Sequence, residues 1–405
     1  MSKFWPTVSN ELALKLLKWS EFFYTFLLIL PVIVLLYQNK GISVGDFFLI
    51  QGMSACAAFA LEIPSGYLSD CFSRRKVIIL GAAIYLFANG WLYSGYGFWD
   101  IAFAEIMLGF AAALFSGTKE AYAYDLLKRM GREKDFLKEN GSLSSYCQAA
   151  SFIASILGGI LYSYIGDSIL LVETFVALIA LVCVLLLPEL VEVKRKRKRG
   201  TSAFADIASV VKMSVKNPAI KWFIIFPAMF SAFTRIQLWL FQPTMEQTGI
   251  ALSLFGIFVG FNQFMRLVFS KYADAIFNRF ATATLLKFIC AMIFLVFVLI
   301  VVCVNIPLGP WTYLMLMFIF LWPAIQKLCA LIFSAFIHER IKSTERGTVI
   351  SVSSMVSSFC SMLTMMTMKP LLDSFGLTGA IIIAGCAFLI MLWPLGRVLG
   401  FIKQK

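Results

Sequence analysis

Ionisable side chains within long apolar stretches are the first candidates for chemistry in this chain. A charge inside lipid is costly, so such a residue usually binds a proton, an ion or a substrate. Glu105 and Arg235 lie in the outer parts of two such stretches, at similar depth. Desolvation favours the neutral form of a buried carboxyl, so we predict that Glu105 exchanges protons and pairs with Arg235; the alternative is a static ion pair. Glu21 is a second proton or cation site, or an interfacial residue.

A second group of polar and aromatic side chains could contact a ligand within the same apolar stretches. Phenylalanine and methionine number 40 and 17, which suits a soft apolar pocket. The alternative for each candidate is a residue that faces lipid or packs against another helix. Glu173 and Lys287, by contrast, are predicted to extend to the membrane surface. The cavity candidates are Tyr24, Gln237, Gln242, Asn262, Gln263, Arg266 and Trp322.

A compact charged motif, GYLSDCFSRRK at 66–76, lies between two of the apolar stretches. Gly66 allows two helices to approach closely. Asp70 can interact with the positive amino-terminal end of a neighbouring helix, and Arg74 or Arg75 can form a two-pronged contact with a carboxylate. The motif therefore predicts a latch between helices. The alternative is that its basic residues only set the orientation of the chain in the membrane.

The elements that position these residues must lie in lipid. The chain is 60% hydrophobic and 14% charged, whereas a soluble protein carries about 25% charge. The net charge of +13 is concentrated in short gaps between apolar stretches, such as KRKRKR at 194–199, which is typical of membrane topology rather than of a nucleic-acid-binding surface. The nine cysteines are scattered, and His338 is the single histidine, so we expect no disulfide framework, no metal and no cofactor.

Twelve apolar stretches are each long enough to cross a bilayer as a helix of about 20 residues. Lysine and arginine fall in alternate gaps between them, which places both termini in the cytoplasm. The longest gap divides the chain into an N-terminal bundle (1–189), a basic cytoplasmic linker (190–218) and a C-terminal bundle (219–405). The predicted helices span 19–37, 45–66, 77–96, 99–121, 142–165, 168–188, 219–242, 251–270, 281–304, 311–336, 347–369 and 376–401.

The two halves contain similar residues at nearly equal offsets. Asp70 follows the second predicted helix and Asp274 follows the eighth, 204 residues later. Glu139 in KENGSLSS and Glu345 in TERGTVIS are 206 residues apart. These offsets indicate duplication of a six-helix unit, which would place a substrate cavity on the axis between the two copies. The alternative is chance similarity between short loops.

The spacing GxLxDxxxRR from Gly66 resembles the signature motif of the major facilitator superfamily. Cys71 and Ser73 replace its usual basic residue and glycine. The resemblance extends over the chain through the helix count and the basic central linker. It implies an all-α membrane protein, with twelve transmembrane helices in two pseudo-symmetric six-helix bundles. It also implies a cytoplasmic gate in which Arg74 or Arg75 contacts Asp125.

The stretches EIPSGYLSD and SGTKEAYAYD are similar to those of bacterial drug-efflux-like permeases in that superfamily. Glu62, in the first stretch, is part of the gate or an interfacial residue. Many proton-driven exporters carry arginine at the position of Glu105, so their arginine mechanism does not transfer to this chain. Gly158 and Gly159 match half of an antiporter signature, whose other half reads Ala154-Ser155 here.

These features together predict a secondary transporter that works by alternating access, and not an enzyme. The chain has no Walker A phosphate-binding motif and no catalytic constellation. We expect proton-coupled export of a small amphipathic compound; the alternatives are proton-coupled uptake and a transport-like sensor or lipid-handling protein. The expected partners are a small-molecule substrate, protons and membrane lipid, with no nucleic acid. We expect a monomer in the bacterial cytoplasmic membrane.

Overall fold

The computed structural model describes residues 8–190, 218–272, 276–277, 279–306, 309–340, 343–390 and 392–403. These ranges are almost wholly helical and contain no β-strand. A helix satisfies its backbone hydrogen bonds internally, which is what an apolar segment in lipid requires. The helices are α1 (Asn10–Thr25), α2 (Ile33–Asn39), α3 (Val44–Cys71), α4 (Arg74–Ser94), α5 (Gly97–Phe115), α6 (Thr118–Arg129), α7 (Phe136–Ile165), α8 (Ile169–Leu185), α9 (Pro218–Gln247), α10 (Leu252–Lys271), α11 (Thr282–Asn305), α12 (Pro310–Arg340), α13 (Ser343–Ile390) and α14 (Leu392–Lys403).

Two predicted helices are interrupted, and two others are joined. The first, predicted over 19–37, forms α1 and α2 with a non-helical segment at 26–32 between them. Pro31 lies in that segment. Inside a helix, proline has no N–H to donate and its ring clashes with the preceding turn, so a continuous helix is disfavoured there. The fourth is broken before α6 at Gly117, whose φ of 69° favours glycine. The eleventh and twelfth are joined in α13 across a kink at Gly376.

Eight helical stretches in the described ranges are long and apolar enough to cross a membrane by length and composition. Two of them, Lys138–Leu185 and Val352–Gly400, contain 48 and 49 residues. A single crossing needs only about 20 residues. Both long stretches are interrupted, the first by a 3₁₀ turn at Gly166–Ser168 and the second by the Gly376 kink. The prediction of an all-helical, multi-pass membrane protein is confirmed.

The first and last parts of the chain pack against each other through two long helix pairs. Helix α3 packs along α13, and α7 packs along α10. A Cβ atom on Gly159 would lie 2.6 Å from the backbone nitrogen of Gly256, and one on Gly52 would lie 2.7 Å from Met366 Cγ. Small residues at these positions let the helix backbones approach closely. Between the two pairs, α2 meets α9.

Two ends of the bundle are used below as landmarks. The near end contains the starts of α1 and α7 and the turn from α3 to α4. The far end contains α2, the start of α3 and the end of α9. Hydrogen bonds define both: Lys18 contacts Glu139 at the near end, and the Val34 amide contacts Gln242 at the far end.

Candidate functional site

A cavity of about 230 Å³ lies among α9, α10 and α12, just inside the far end. Its wall on α9 contains positions 231, 234, 235, 238 and 242. The last four positions lie three, four, seven and eleven residues after position 231, so all five share one face of the helix. Arg235 is exposed to the cavity. The residues predicted from sequence that line it are Arg235, Gln242, Asn262, Gln263 and Arg266.

Hydrogen bonds between helices hold the neutral polar groups of the wall in place. Gln326 Nε2 on α12 donates to Thr234 Oγ1 on α9 at 2.7 Å. Asn262 Nδ2 on α10 donates to the carbonyl oxygen of Phe320 on α12 at 3.0 Å. Three helices are therefore fixed relative to each other around the cavity, which gives its wall a defined shape.

Gln242 connects the cavity wall to the other half of the protein. Its Oε1 accepts a hydrogen bond from the Val34 amide at 2.7 Å, and its Nε2 donates to the Leu30 carbonyl at 2.8 Å. Leu30 lies in the break between α1 and α2 and Val34 in the first turn of α2, where helix ends leave amides and carbonyls without helical partners. Trp239 lies below this contact, with its ring 5.3 Å from that of Phe47 on α3. These contacts join the two halves at the far end, next to the cavity.

A second contact between the halves lies at the same end. Lys369 Nζ on α13 is 2.7 Å from Asp46 Oδ1 on α3 and 3.1 Å from Asp373 Oδ2 on its own helix. The Asp46 and Lys369 side chains are 27% and 32% exposed. Water screens a partly exposed ion pair, so it stabilises the closed end only modestly.

Glu105 is buried on α5 and is held by neutral donors of its own half. The Tyr37 hydroxyl donates to Glu105 Oε1 at 2.6 Å, and Gln51 Nε2 donates to the same oxygen at 3.0 Å. The predicted pair with Arg235 is wrong, because Arg235 points into the cavity from α9 while the carboxyl bonds to α2 and α3. Glu105 forms no ion pair within the described ranges. It is thus a buried acid without a neighbouring cation to stabilise its charge.

Glu21 lies in an ion pair that the sequence analysis did not identify. Lys119 Nζ on α6 is 2.8 Å from Glu21 Oε1, and both side chains are largely buried. The same ammonium lies 3.7 Å from the ring centre of Phe115 and 4.2 Å from that of Tyr24, a favourable cation–π geometry. The sequence feature that could have indicated this pair is the lysine of SGTKEA, which lies within the helix predicted over 99–121.

Two predicted cavity residues lie elsewhere, and a third is outside the described side chains. Tyr24 packs against Tyr85 and Phe115 within the first half. Gln237 is fully buried and donates to the Ile293 carbonyl on α11 at 3.2 Å. Neither side chain lines the cavity beside α9, so a ligand contact at Tyr24 or Gln237 stays a prediction. The Trp322 side chain lies outside the described residues.

Glu173 is also corrected: it does not extend to the membrane surface. Its side chain is fully buried, and its Oε2 accepts a hydrogen bond from the Leu28 amide at 2.8 Å. Its Oε1 has no hydrogen-bond donor in the described part of the chain. The acid therefore supports the α1–α2 break from α8, on the side opposite Gln242. A broken helix buried among others needs such partners for its backbone amides.

At the near end, the predicted gate residues form two separate contacts. Arg74 on α4 forms an ion pair with Asp125 on α6. Arg75 instead donates to a carbonyl oxygen of α8 at 2.8 Å. Glu62 Oε1 accepts a hydrogen bond from the hydroxyl of Ser354 on α13 at 3.2 Å, which connects the halves.

Gly66 and Asp70 lie in the last turns of α3, a short distance before Arg74 in the sequence. The side chain of Asp70 is outside the described residues, and so is the predicted contact with the start of the eleventh predicted helix. The near end is therefore characterised by the ion pair between α4 and α6 and by the contact from α3 to α13.

Comparison with known families gives a match over most of the chain. The family model described as Major Facilitator Superfamily matches residues 21–365. A protein of Buchnera aphidicola subsp. Acyrthosiphon pisum (strain APS), named "Uncharacterized transporter BU466", is 28% identical over 144 residues. That match spans 35% of this chain and 35% of the relative's own length.

Solved structures with the same fold cover nearly the whole chain. The nucleoside transporter NupG is 13% identical, with a TM-score of 0.78 over 96% of this chain and 99% of that one. A POT family transporter in complex with 5-aminolevulinic acid is 13% identical, with a TM-score of 0.70 over 98% and 96%. The human organic anion transporter MFSD10 (TETRAN) is 14% identical, with a TM-score of 0.61 over 95% and 98%. At these identities the similarity shows the fold alone.

Proposed function

Because the chain belongs to the Major Facilitator Superfamily, and is therefore a membrane transport protein rather than an enzyme, we propose that it is a secondary transporter working by alternating access. In such a transporter, two halves rock around a site near the middle of the membrane and expose it to one side at a time. The observation that carries the proposal is the cavity beside α9, closed at the far end by the contact of Gln242 with α2.

The proposed topology has twelve crossings in two six-helix bundles, 1–189 and 219–405, joined by a cytoplasmic linker at 190–218. The breaks within α1–α2 and α5–α6 interrupt single crossings, and the Gly376 kink separates the last two. Lysine and arginine are concentrated in near-end loops, which supports cytoplasmic termini. On this assignment the far end faces outward, and the described conformation is closed to the outside.

Alternation then requires the contacts at one end to break while those at the other end hold; in the described conformation contacts between the halves are formed at both ends. Opening of the far end separates Gln242 from α2 and Asp46 from Lys369. We propose that the Arg74–Asp125 pair and the Glu62–Ser354 contact stabilise the near end when it closes. Gly66 and Asp70 would belong to the same gate, as the resemblance to the superfamily motif implies.

Proton coupling is assigned to Glu105. A carboxylate in a low-dielectric interior without a cation is strongly disfavoured, so the acid favours its neutral form while the far end is closed. Tyr37 connects this acid to α2, and α2 is the element that Gln242 binds. Uptake of a proton from outside water when the far end is open, and its release to the cytoplasm when the near end opens, would link inward proton movement to export. Glu21, paired with Lys119, is a second candidate for the same role.

The proposed direction is export of a small compound across the bacterial cytoplasmic membrane by a monomer. The stretches EIPSGYLSD and SGTKEAYAYD support this direction through their similarity to efflux-like permeases. Uptake by proton symport is the alternative. Ligand binding without flux would instead indicate a membrane sensor.

The test is proton flux in liposomes that contain an internal pH dye and purified full-length protein. Candidate compounds are added with and without an imposed pH gradient. We expect compound-dependent proton movement that is lost in Glu105→Gln and retained in the matched control Glu246→Gln, whose side chain is exposed. Full proton movement in Glu105→Gln would remove the proton role of Glu105 and direct attention to Glu21 and Asp125. Compound flux without protons would contradict coupling.

A further inference from the structure

The cavity contains two positive charges without a counter-ion. Arg235 on α9 and Arg266 on α10 both line it, and neither has an ion pair or hydrogen bond within the described ranges. Arginine remains protonated in proteins. A charge within the membrane normally pairs with an acid or with backbone carbonyls, since an unpaired one is costly. The described cavity leaves both guanidinium groups available to a bound anion.

The remainder of the cavity lining is uncharged. No aspartate or glutamate occurs among its described residues, which are amides, hydroxyls, aromatic rings and aliphatic side chains. Among the described residues the local field is therefore positive, with no acidic side chain in the lining to offset it. In a low-dielectric site such a field attracts anions and repels cations.

Three neutral polar groups of the wall have partners, whereas the two arginines and the Trp239 indole N–H have none among the described residues. Thr234 accepts from Gln326, Asn262 donates to a carbonyl of α12, and Gln242 holds α2. These bonds maintain the shape of the cavity without help from Arg235 or Arg266. A purely structural role for the arginines would require protein acceptors, and the described residues supply none.

We propose that this cavity binds a small organic anion, with its carboxylate or phosphate group held by Arg235 and Arg266. The inference rests on the proposed function, because it names the substrate class for the same cavity. The planar guanidinium presents N–H donors in a fork that matches both acidic groups. Trp239, Phe241 and Phe320 provide an apolar wall for the rest of the molecule, with the two phenylalanine ring centres 4.4 Å apart.

The size of the cavity restricts the ligand further. Its volume of about 230 Å³ corresponds to roughly eight water molecules at liquid density. A single-ring or short-chain acid is of the size that this space can hold. An anionic lipid headgroup has the same charged chemistry, so the test includes a lipid competitor.

The test is ligand binding to purified full-length protein, with three probes that differ mainly in charge. Benzoate, benzamide and benzylammonium are titrated by isothermal calorimetry, and phenyl phosphate and inorganic phosphate follow. We expect benzoate or phenyl phosphate to bind at least 10-fold more tightly than the neutral and cationic probes. Arg235→Gln and Arg266→Gln should each weaken anion binding by about 10- to 100-fold, the loss expected for a charged hydrogen bond. Arg279→Gln is the matched control, since Arg279 is exposed and outside the cavity.

Further variants and conditions keep the outcome interpretable. Arg235→Lys and Arg266→Lys retain the charge if the glutamine variants fail to fold, and should preserve anion preference at reduced affinity. Displacement of benzoate by phosphatidylglycerol, with no binding of phenyl phosphate, would identify a lipid headgroup as the natural anion. Equal binding of all three charge types, preference for benzylammonium, or no binding of any anion would overturn the inference. Transport of a neutral or cationic compound would overturn the anion inference while leaving the proposed transporter function intact. Anion binding without flux would support the anion inference and contradict the proposed transporter function.

Discussion

Replacement of Gln242 by leucine tests whether the contact between α9 and α2 keeps the far end closed. The glutamine amide makes two hydrogen bonds between the halves, to the Val34 amide at 2.7 Å and the Leu30 carbonyl at 2.8 Å. Leucine is of similar size and can make neither. Each backbone group left buried without a partner costs about 1–3 kcal/mol, and opening of the far end would remove that cost by admitting water.

The loss therefore weakens the closed state relative to the open state by about 2–6 kcal/mol, or roughly 30- to 20,000-fold in their population ratio. Spin labels at Tyr164→Cys and Trp311→Cys report the separation of the halves by double electron–electron resonance, in a background without native cysteines. Both positions lie at the far end, and their side chains are 83% and 71% exposed. We expect Gln242→Leu to add a population at longer distance.

Gln237→Leu is the matched control for this experiment. Gln237 is a buried glutamine of the same helix, and its one bond goes to Ile293 within its own half at 3.2 Å. It should lower thermal stability without changing the distance between the labels. Gln242→Glu keeps the acceptor for Val34 and loses the donor to Leu30, so an intermediate population is expected. An unchanged distance distribution in a monodisperse Gln242→Leu protein would refute the assignment of this contact as the far-end closure.

Two other perturbations test the elements around this closure. Glu173→Leu removes the acceptor of the Leu28 amide and should reduce the free energy of unfolding by about 1–3 kcal/mol, seen as a lower melting temperature. Glu173→Gln keeps an acceptor and should stay near wild type. Equal losses in the two variants would show that the α1–α2 break does not depend on this bond. Asp46→Lys should open the far end slightly, by about 0.2–1 kcal/mol for a partly exposed pair, and Lys369→Asp in the same chain should reverse the change in label distance. A double variant that opens further than Asp46→Lys would show that Asp373 or another group controls this contact.

Sequence patterns identified polar residues near the cavity better than they predicted which way those side chains point. Arg235 and Arg266 could be identified because a charge in an apolar stretch needs a functional reason, and both line the cavity. Gln237 and Gln242 could not be told apart, although they differ by about 140° around the helix at 100° per residue. Lipid-facing and protein-facing surfaces are both apolar, so hydrophobic periodicity does not define the rotation of a membrane helix.

The incorrect pair of Glu105 and Arg235 has a related cause. Similar depth in the membrane is readable from sequence, but the partner of a buried acid depends on how neighbouring helices are interrupted. Pro31 was visible in the sequence, yet the single predicted helix over 19–37 concealed its effect. Only after the chain breaks there does α2 bring the Tyr37 hydroxyl within 2.6 Å of the acid. The break, Glu173 and Tyr37 form one arrangement that no local pattern specifies.

The short helix α2 joins the proposed proton site to the proposed substrate site. Its Tyr37 donates to Glu105, and the Val34 amide in its first turn donates to Gln242, which lines the same cavity as Arg235. Coupling between two sites requires an element with two arrangements that both sites bias. Seven residues, separated from α1 by a non-helical break, can move as such an element without bending a whole transmembrane helix. An anion bound at Arg235 would act on α2 through Gln242, and a proton on Glu105 would act on it through Tyr37.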